Sequence, residues 1–319
     1  ELGGHSLLAV VVAARITQEL GLHVPLCLLF QHPVIAELAS HLQSETEDTS
    51  AVGRIPRIPR DQPLPASFAQ QRMWLLQQML PDPATYNVPV AWRFTGDVDA
   101  DRLQQCLQQL MQRHEVLRTS FAMQGEQLMQ RISAAADMPL PWNRIDRQSP
   151  LSGHAPLSSS ITEVKELLSK QLYDETRHLF DLTKGPLWRA TWLSIADNDY
   201  VLLLTFHHSI VDEWSLRLLG EELQQLYIAK GSPDATILPT LAVQYADYSV
   251  WRRQQLIGER LEFLRQYWRD QLHDLPEALE LPADLPRPQR PTGQGAIHEF
   301  ELSAPVMQPL RALARQEGT

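Results

Sequence analysis

The run Tyr200-Val201-Leu202-Leu203-Leu204-Thr205-Phe206 carries no charge and no alternation of apolar with polar side chains. Such a run reads as a strand buried within a layered fold rather than one with a wet face. It ends on His207-His208, and Ser209-Ile210-Val211-Asp212-Glu213-Trp214-Ser215 then leads into a helical pattern of Leu216, Leu218, Leu219, Leu223 and Leu226. Two imidazoles therefore stand where a buried strand gives way to a loop, with a carboxylate four residues past the second. Histidine is the side chain most readily tuned to exchange or orient a proton near neutral pH. An aspartate at that offset holds a loop in one shape or fixes an imidazole tautomer. Spacing alone leaves a catalytic site, a metal site and a hydrogen-bonded core pair open.

The remaining chain alternates helices and strands. Ser67 to Leu80 carries Phe68, Met73, Trp74, Leu75 and Leu76, with Ser67 in the N-cap position. Val88 to Phe94 reads as a strand, and Asp101 to Arg113 repeats Leu103, Leu107, Leu110 and Met111 at helical spacing. Strand-like pieces follow Phe121, and a helix is expected near Ile161 to His178. Later come a loop from Leu281 to Pro291, a strand-like Ala296 to Leu302 and a helix start near Pro305. This alternation predicts an α/β or α+β layered fold. No G-x-G-x-x-G string, P-loop or serine nucleophile elbow supports dinucleotide, nucleotide or serine-hydrolase chemistry.

A formal net charge of -10 argues against nucleic acid as the main partner. No apolar stretch approaches a membrane span and no signal-peptide pattern opens the chain, so no membrane partner is expected. Cys27 and Cys106 lie in separate helix-like segments and suggest neither a disulfide framework nor a metal knuckle. His23, His41 and His273 are scattered without ligand spacing, so no metal is expected and these read as surface residues. A reducing cytoplasm is the simplest location.

At the start, Gly3-Gly4-His5-Ser6 precedes a helical run from Leu7 to Leu20 that Gly21 closes. Two glycines before a serine at a helix start let backbone approach a bulky group on that serine, and a phosphate ester there would face free amide N–H groups. A plain N-cap role for Ser6 fits the same residues. The motif Gly-Gly-His-Ser-Leu-Leu-Ala, with Leu28-Leu29-Phe30-Gln31-His32-Pro33-Val34-Ile35-Ala36-Glu37-Leu38-Ala39 after it, resembles the second half of a peptidyl carrier protein over residues 1–43. The resemblance implies that Ser6 carries covalent 4′-phosphopantetheine, attached by a phosphopantetheinyl transferase. It also implies an all-helical but partial carrier domain, since the family's first helix is not in the sequence. Residues 44–62, acidic at first and then Arg54-Ile55-Pro56-Arg57-Ile58-Pro59-Arg60, read as a linker, or as a segment that lies along the next domain.

From residue 63 onward four segments resemble, in order, the condensation domain of nonribosomal peptide synthetases. They are Ser67-Phe68-Ala69-Gln70-Gln71-Arg72-Met73-Trp74, Arg113-His114-Glu115-Val116-Leu117-Arg118-Thr119-Ser120-Phe121, His207 to Ser215, and Tyr245-Ala246-Asp247-Tyr248-Ser249-Val250-Trp251. The resemblance implies a chloramphenicol acetyltransferase-like fold of two lobes, here the N-terminal lobe and the start of the next, truncated across residues 63–319. It implies amide bond formation between a donor thioester and the amine on a downstream acceptor carrier, with adenylation domains of the same assembly line as partners. His208 is the expected catalytic residue, as base or positioning group. His207, Asp212 and Ser215 support the motif, with Asp212 expected in a structural ion pair. The opening motif looks more like domains that join two L-configured residues. Arg113, His114 and Arg118 look architectural, Arg72 and Trp74 fit ordinary packing, and Tyr245, Tyr248 and Trp251 read as a core-facing aromatic stripe. The family usually has glycine where this chain has Glu213, which either narrows the tunnel or points to solvent. The alternatives are an epimerisation domain or a noncatalytic condensation-like docking module. Heterocyclisation is disfavoured because that subgroup replaces the histidine pair with aspartates. This fragment alone is expected to be inactive.

Overall fold

The computed structural model describes residues 9, 12–13, 15–16, 19–20, 24, 26–32, 34–44, 55–145, 161–229, 238–276, 282, 285–286, 298 and 300–317. The described residues between 9 and 20 are helical, as the apolar spacing there predicts. Helices α1 (Leu26–Gln31) and α2 (Ile35–Ser44) follow, and Ala13, Val24, Leu28 and Leu38 form a small core of their own. Ser6 and its two glycines lie outside the described residues.

The larger part is built on two sheets. A three-stranded sheet has the order β1 (Leu64–Pro65), β4 (Gln127–Ile132), β3 (Thr119–Gln124). A four-stranded sheet has the order β2 (Asn87–Thr95), β7 (Asp199–His207), β6 (Trp188–Ala196), β5 (Trp142–Ile145). Its two central strands form an antiparallel hairpin turned through Asn198, which takes a left-handed φ of 58° that asparagine tolerates well. Strand β6 has no counterpart among the expected elements. Its polar Arg189 and Thr191 interrupt the apolar pattern, and both find buried or half-buried partners only through tertiary contact.

From Val201 to Leu204 the central strand β7 is apolar because both of its faces are covered. On one face Leu202, Leu204 and Phe206 join the main core with Leu103, Leu107 and Leu110 of α4 (Ala100–Arg113) and Leu219 and Leu223 of α6 (Glu213–Ile228). On the other, Val201 and Leu203 pack with Leu193, Ile195 and Leu172 of α5 (Ile161–Thr176). That second face turns polar toward the strand's end. Thr205 and Thr191 donate to the buried carboxylate of Glu175 at 3.5 and 2.9 Å, and Arg189 pairs with it at 3.0 Å. Gly220 of α6 lies where a β-carbon would meet Trp92 of β2 at 3.4 Å, so helix and sheet approach closely there.

Helix α3 (Phe68–Met79) begins on Ser67 in a full capping box with Gln70, and Trp74 packs on the core while Arg72 stays exposed. Helix α7 (Tyr245–Gln255) turns Ala246, Asp247 and Ser249 inward. Its stripe of Tyr245, Tyr248 and Trp251 is therefore not core-facing. The three rings touch in sequence along a partly exposed face, and Tyr245 is 37% exposed. The inward positions are taken by small side chains and by an ion pair, which apolar spacing does not reveal. The chain divides into compact units at residues 1–262 and 263–319. Helix α8 (Gly258–Gln271) crosses that division, and α9 (Ala304–Gln316) starts on Ser303 with Pro305 in its first turn. The strand expected at Ala296 to Leu302 is not formed by the described residues there, 298 and 300–302. A strand needs a pairing partner, and the local pattern supplies none.

Candidate active site

The end of β7 delivers the histidine pair into a turn fixed by backbone bonds on both sides. His207 N–H donates to Leu187 O at 2.9 Å, His208 N–H donates to Tyr86 O at 2.8 Å, and Ile210 N–H closes the turn onto His207 O at 3.0 Å. The strand ends on His207, which is buried, while His208 in the turn is exposed.

His207 is fully buried. Its Nδ1 accepts from the Ser209 N–H at 3.1 Å and shares the Ser209 hydroxyl at 2.8 Å. The ring sits edge-on between Tyr86 and Phe180, at centroid distances of 6.5 and 6.4 Å. Burial, and then the neighbouring His208, push its pKa down to about 4. His207 is thus a neutral imidazole at physiological pH, with its proton on Nε2. Its one lone pair, on Nδ1, is already engaged by Ser209 inside the turn, so the ring is placed to hold the turn.

His208 is exposed, and its Nδ1 lies 2.7 Å from the carbonyl oxygen of Val211. A carbonyl only accepts, so Nδ1 must hold the hydrogen and Nε2 presents its lone pair outward. That is the tautomer needed to take a hydrogen bond or a proton from an incoming N–H or O–H group. The local chain dictates it, since Val211 belongs to the same short turn.

Asp212 begins α6. Its Oδ1 accepts from the Ser215 N–H at 2.8 Å and from the Ser215 hydroxyl at 2.6 Å. An extended N-cap with a hydroxyl residue three positions on is a well-formed helix start, and it accounts for both residues of the motif. The cap engages Oδ1 of this carboxylate, and Oδ2 takes no part in it. Glu213 is exposed at the first helical position, beside the positive end of the helix dipole. The charge of Asp212 also reaches Tyr245, whose hydroxyl lies 2.9 Å from Ser67 Oγ. Burial pushes the Tyr245 phenol up, aided by Tyr248 and Asp212 and opposed by the Ser67 hydrogen bond. The starts of α3 and α7 therefore meet, near enough to the start of α6 for the Asp212 charge to act on Tyr245.

The second motif is scaffolding. Arg113 and His114 clasp the buried carboxylate of Glu222 at 3.2 and 2.6 Å, tying α4 to α6. Arg118 donates to the carbonyls of Met111, Ser133 and Gln112, and burial lowers its pKa. Residues missed by sequence reasoning include Tyr86, Ser209 and Val211, of which Val211 acts through its carbonyl and so leaves no side-chain signal, while Tyr86 acts through both its carbonyl and its ring.

Comparisons to known proteins supply the family. A family model described as Condensation domain matches residues 61–319. The chain belongs to the condensation-domain family. A second model, described as Phosphopantetheine attachment site, matches residues 1–42, which brings with it a covalently attached 4′-phosphopantetheine. Over its whole length the chain is 36% and 38% identical to two linear gramicidin synthase polypeptides of Brevibacillus parabrevis, yet it spans only 4% and 6% of those relatives. It is similar to the X-domain in a complex with OxyB from teicoplanin biosynthesis, at 28% identity and a TM-score of 0.60, covering 75% of this chain and 50% of that one. A condensation domain that mediates chain release from the enacyloxin polyketide synthase aligns at 25% identity and a TM-score of 0.53, covering 78% of this chain and 45% of that one. The first condensation domain of the CDA synthetase, at 20% identity, shares the fold. The mixed helix and sheet content is thus the α/β lobe of a condensation domain. Among the described residues no helix is long and apolar enough to cross a membrane.

Proposed function

We propose that the chain is a carrier-plus-condensation segment of a nonribosomal peptide synthetase that forms an amide bond. The observation that carries this reading is the tautomer of His208. With Nδ1–H bonded to Val211 O, an exposed Nε2 lone pair stands at the end of a rigid strand. An amine attacking a thioester must be oriented and must lose a proton, and a lone pair held in one direction serves both needs. His208 is the catalytic residue in this proposal. His207, Asp212 and Ser215 hold the turn and the helix start that present it. Ser6 carries the phosphopantetheine arm with the donor thioester, and the amine comes from a downstream acceptor carrier. The opening motif favours two L-configured residues. Adenylation domains and a phosphopantetheinyl transferase are the further partners, and a cytoplasmic location suits them. The segment boundaries are 1–43 for the carrier, 44–62 for the linker and 63–319 for the condensation domain. Glu213, exposed at the helix start, is compatible with this chemistry.

The test is transfer within the intact synthetase that contains this chain. Ser6 is loaded with a phosphopantetheinyl donor, a charged acceptor carrier is supplied, and the elongated thioester is followed by mass spectrometry with His208→Ala in parallel. Loss of an oriented catalytic imidazole should lower transfer by at least 10²-fold. Undiminished transfer in the variant would remove His208 from the reaction. A docking role is the second reading, favoured by the similarity to an X-domain seen in complex with OxyB. It predicts no transfer from a correctly loaded wild type, with partner binding retained in His208→Ala.

A further inference from the structure

Behind the histidine turn, three polar atoms lie out of reach of solvent with no hydrogen-bond partner: Nε2 of His207, Oδ1 of Asn87 and Oε1 of Gln77. Their chemistry is set by what the other end of each side chain does. His207 accepts at Nδ1 from the Ser209 N–H, so Nε2 is a donor. Asn87 donates through Nδ2 to the carbonyls of Thr176 and His178, at 2.9 and 2.7 Å, so its oxygen must face the opposite way. Gln77 donates through Nε2 to the carbonyl of Phe180 at 3.2 Å, which orients its oxygen likewise. One donor and two acceptors remain.

A chain of contacts links these three side chains. Asn87 and His207 are direct cross-strand partners on β2 and β7, so their side chains stand on the same face of the sheet. Asn87 is fastened to Thr176 and His178, and Gln77 to Phe180, whose ring meets the edge of His207. Residues 176–180 thus tie helix α3, strand β2 and the histidine turn together. The polarity of the group selects its ligand. A cation is repelled by the Nε2–H, and an anion by the two amide oxygens. A hydroxyl group has only one hydrogen for two acceptors. Water accepts one bond and donates two, and buried waters commonly make about three.

We infer that a buried water bridges His207 Nε2–H to Asn87 Oδ1 and Gln77 Oε1, and that Asn87 and Gln77 are positioning residues for the turn that carries His208. Ser209 holds one end of the His207 ring from within the turn itself. The bridge anchors the other end to α3 and β2, which are outside it. Rotation of His207 is then blocked, and with it any shift of the backbone that fixes His208 to Tyr86 and Val211. The catalytic part of this inference rests on the role proposed for His208.

The experiment compares Gln77→Met with Gln77→Glu in the intact synthetase. Both variants lose the donor to Phe180 O, but only glutamate keeps an oxygen acceptor for the bridge. Gln77→Met should lower transfer about tenfold at saturating substrate, through misplacement of the turn. Gln77→Glu should lose less transfer than Gln77→Met, because an acceptor for the bridge survives even though the second carboxylate oxygen now faces the Phe180 carbonyl. Its acid limb should move to higher pH, because a carboxylate facing His207 favours the imidazolium. Equal losses in the two variants, with no movement of the acid limb, would overturn the positioning role. A crystal structure of the wild type supplies a readout independent of the reaction. Ordered water within hydrogen-bond distance of Nε2 and both oxygens supports the bridge even if wild type proves inactive in transfer, which would count against the functional reading alone. Side-chain oxygens turned away from His207, or no solvent density between them, would overturn the bridge whatever the activity.

Discussion

Replacing Asp247 by asparagine tests how the segment before β1 is held to the condensation domain. Asp247 is completely buried in the first turn of α7. Its Oδ1 accepts from the Ile58 N–H and from Arg60 Nη1, each at 2.8 Å, and its Oδ2 accepts from the Gln244 N–H at 2.7 Å. Burial raises the carboxyl's pKa, but the hydrogen bonds from Arg60, Ile58 and Gln244 together hold it below its ordinary value. Asparagine removes the charge and turns an amide NH₂ toward one of these donors. Hydrogen bonds to a charged group contribute about 1.5–3 kcal/mol each, and breaking a buried pair costs about 3–5 kcal/mol. Arg60 keeps Glu115 at 2.9 Å and is a quarter exposed, so its charge is not left alone. The loss should therefore lie near the lower end, about 3 kcal/mol. Urea unfolding of the intact protein at pH 7 measures the global term, and hydrogen exchange at the Ile58 amide measures the local one. The sign with pH follows from the lowered pKa. The stabilisation is fully present above the unfolded value near 4 and is lost as pH falls through the folded value, so wild type and variant converge in acid. A loss under about 1 kcal/mol with unchanged Ile58 exchange would refute the reasoning, since the segment would then be held by other contacts.

Two further outcomes follow from the site. His207, with its pKa lowered from 6.5 to about 4, leaves the unfolded chain to bind a proton that the native fold refuses. Stability should fall by about 3 kcal/mol as pH drops from 6.5 to 4, and His207→Asn should flatten that slope in a pH series of urea midpoints. Asp212→Ala should cost about 1 kcal/mol through loss of the α6 cap, while Asp212→Asn, which keeps an acceptor for Ser215, should cost less than half of that in thermal melts. Equal losses would assign Asp212 a role that depends on its charge rather than on the cap.

The sequence by itself determined whatever is decided within a turn or two of chain. Ser67 caps α3 because its hydroxyl and the Gln70 side chain are three residues apart, and the α4 stripe of Leu103, Leu107 and Leu110 follows from helical period. The doubly buried β7 and the helix start at Asp212 are equally local, and so is the outward Nε2 of His208, because Val211 lies only three residues on. Tertiary structure decided what depends on partners distant in the chain. Strand β6 is recognisable only between β7 and β5, and residues 298 and 300–302, the described part of the Ala296 to Leu302 pattern, form no strand. The α7 stripe faces outward because the buried side of that helix is claimed by Asp247 and Arg60, which are 187 positions apart. His207 and Asn87 oppose each other only once β2 pairs with β7. Periodicity reports which face of an element is apolar, but the identity of what covers that face is a long-range property that no local pattern encodes.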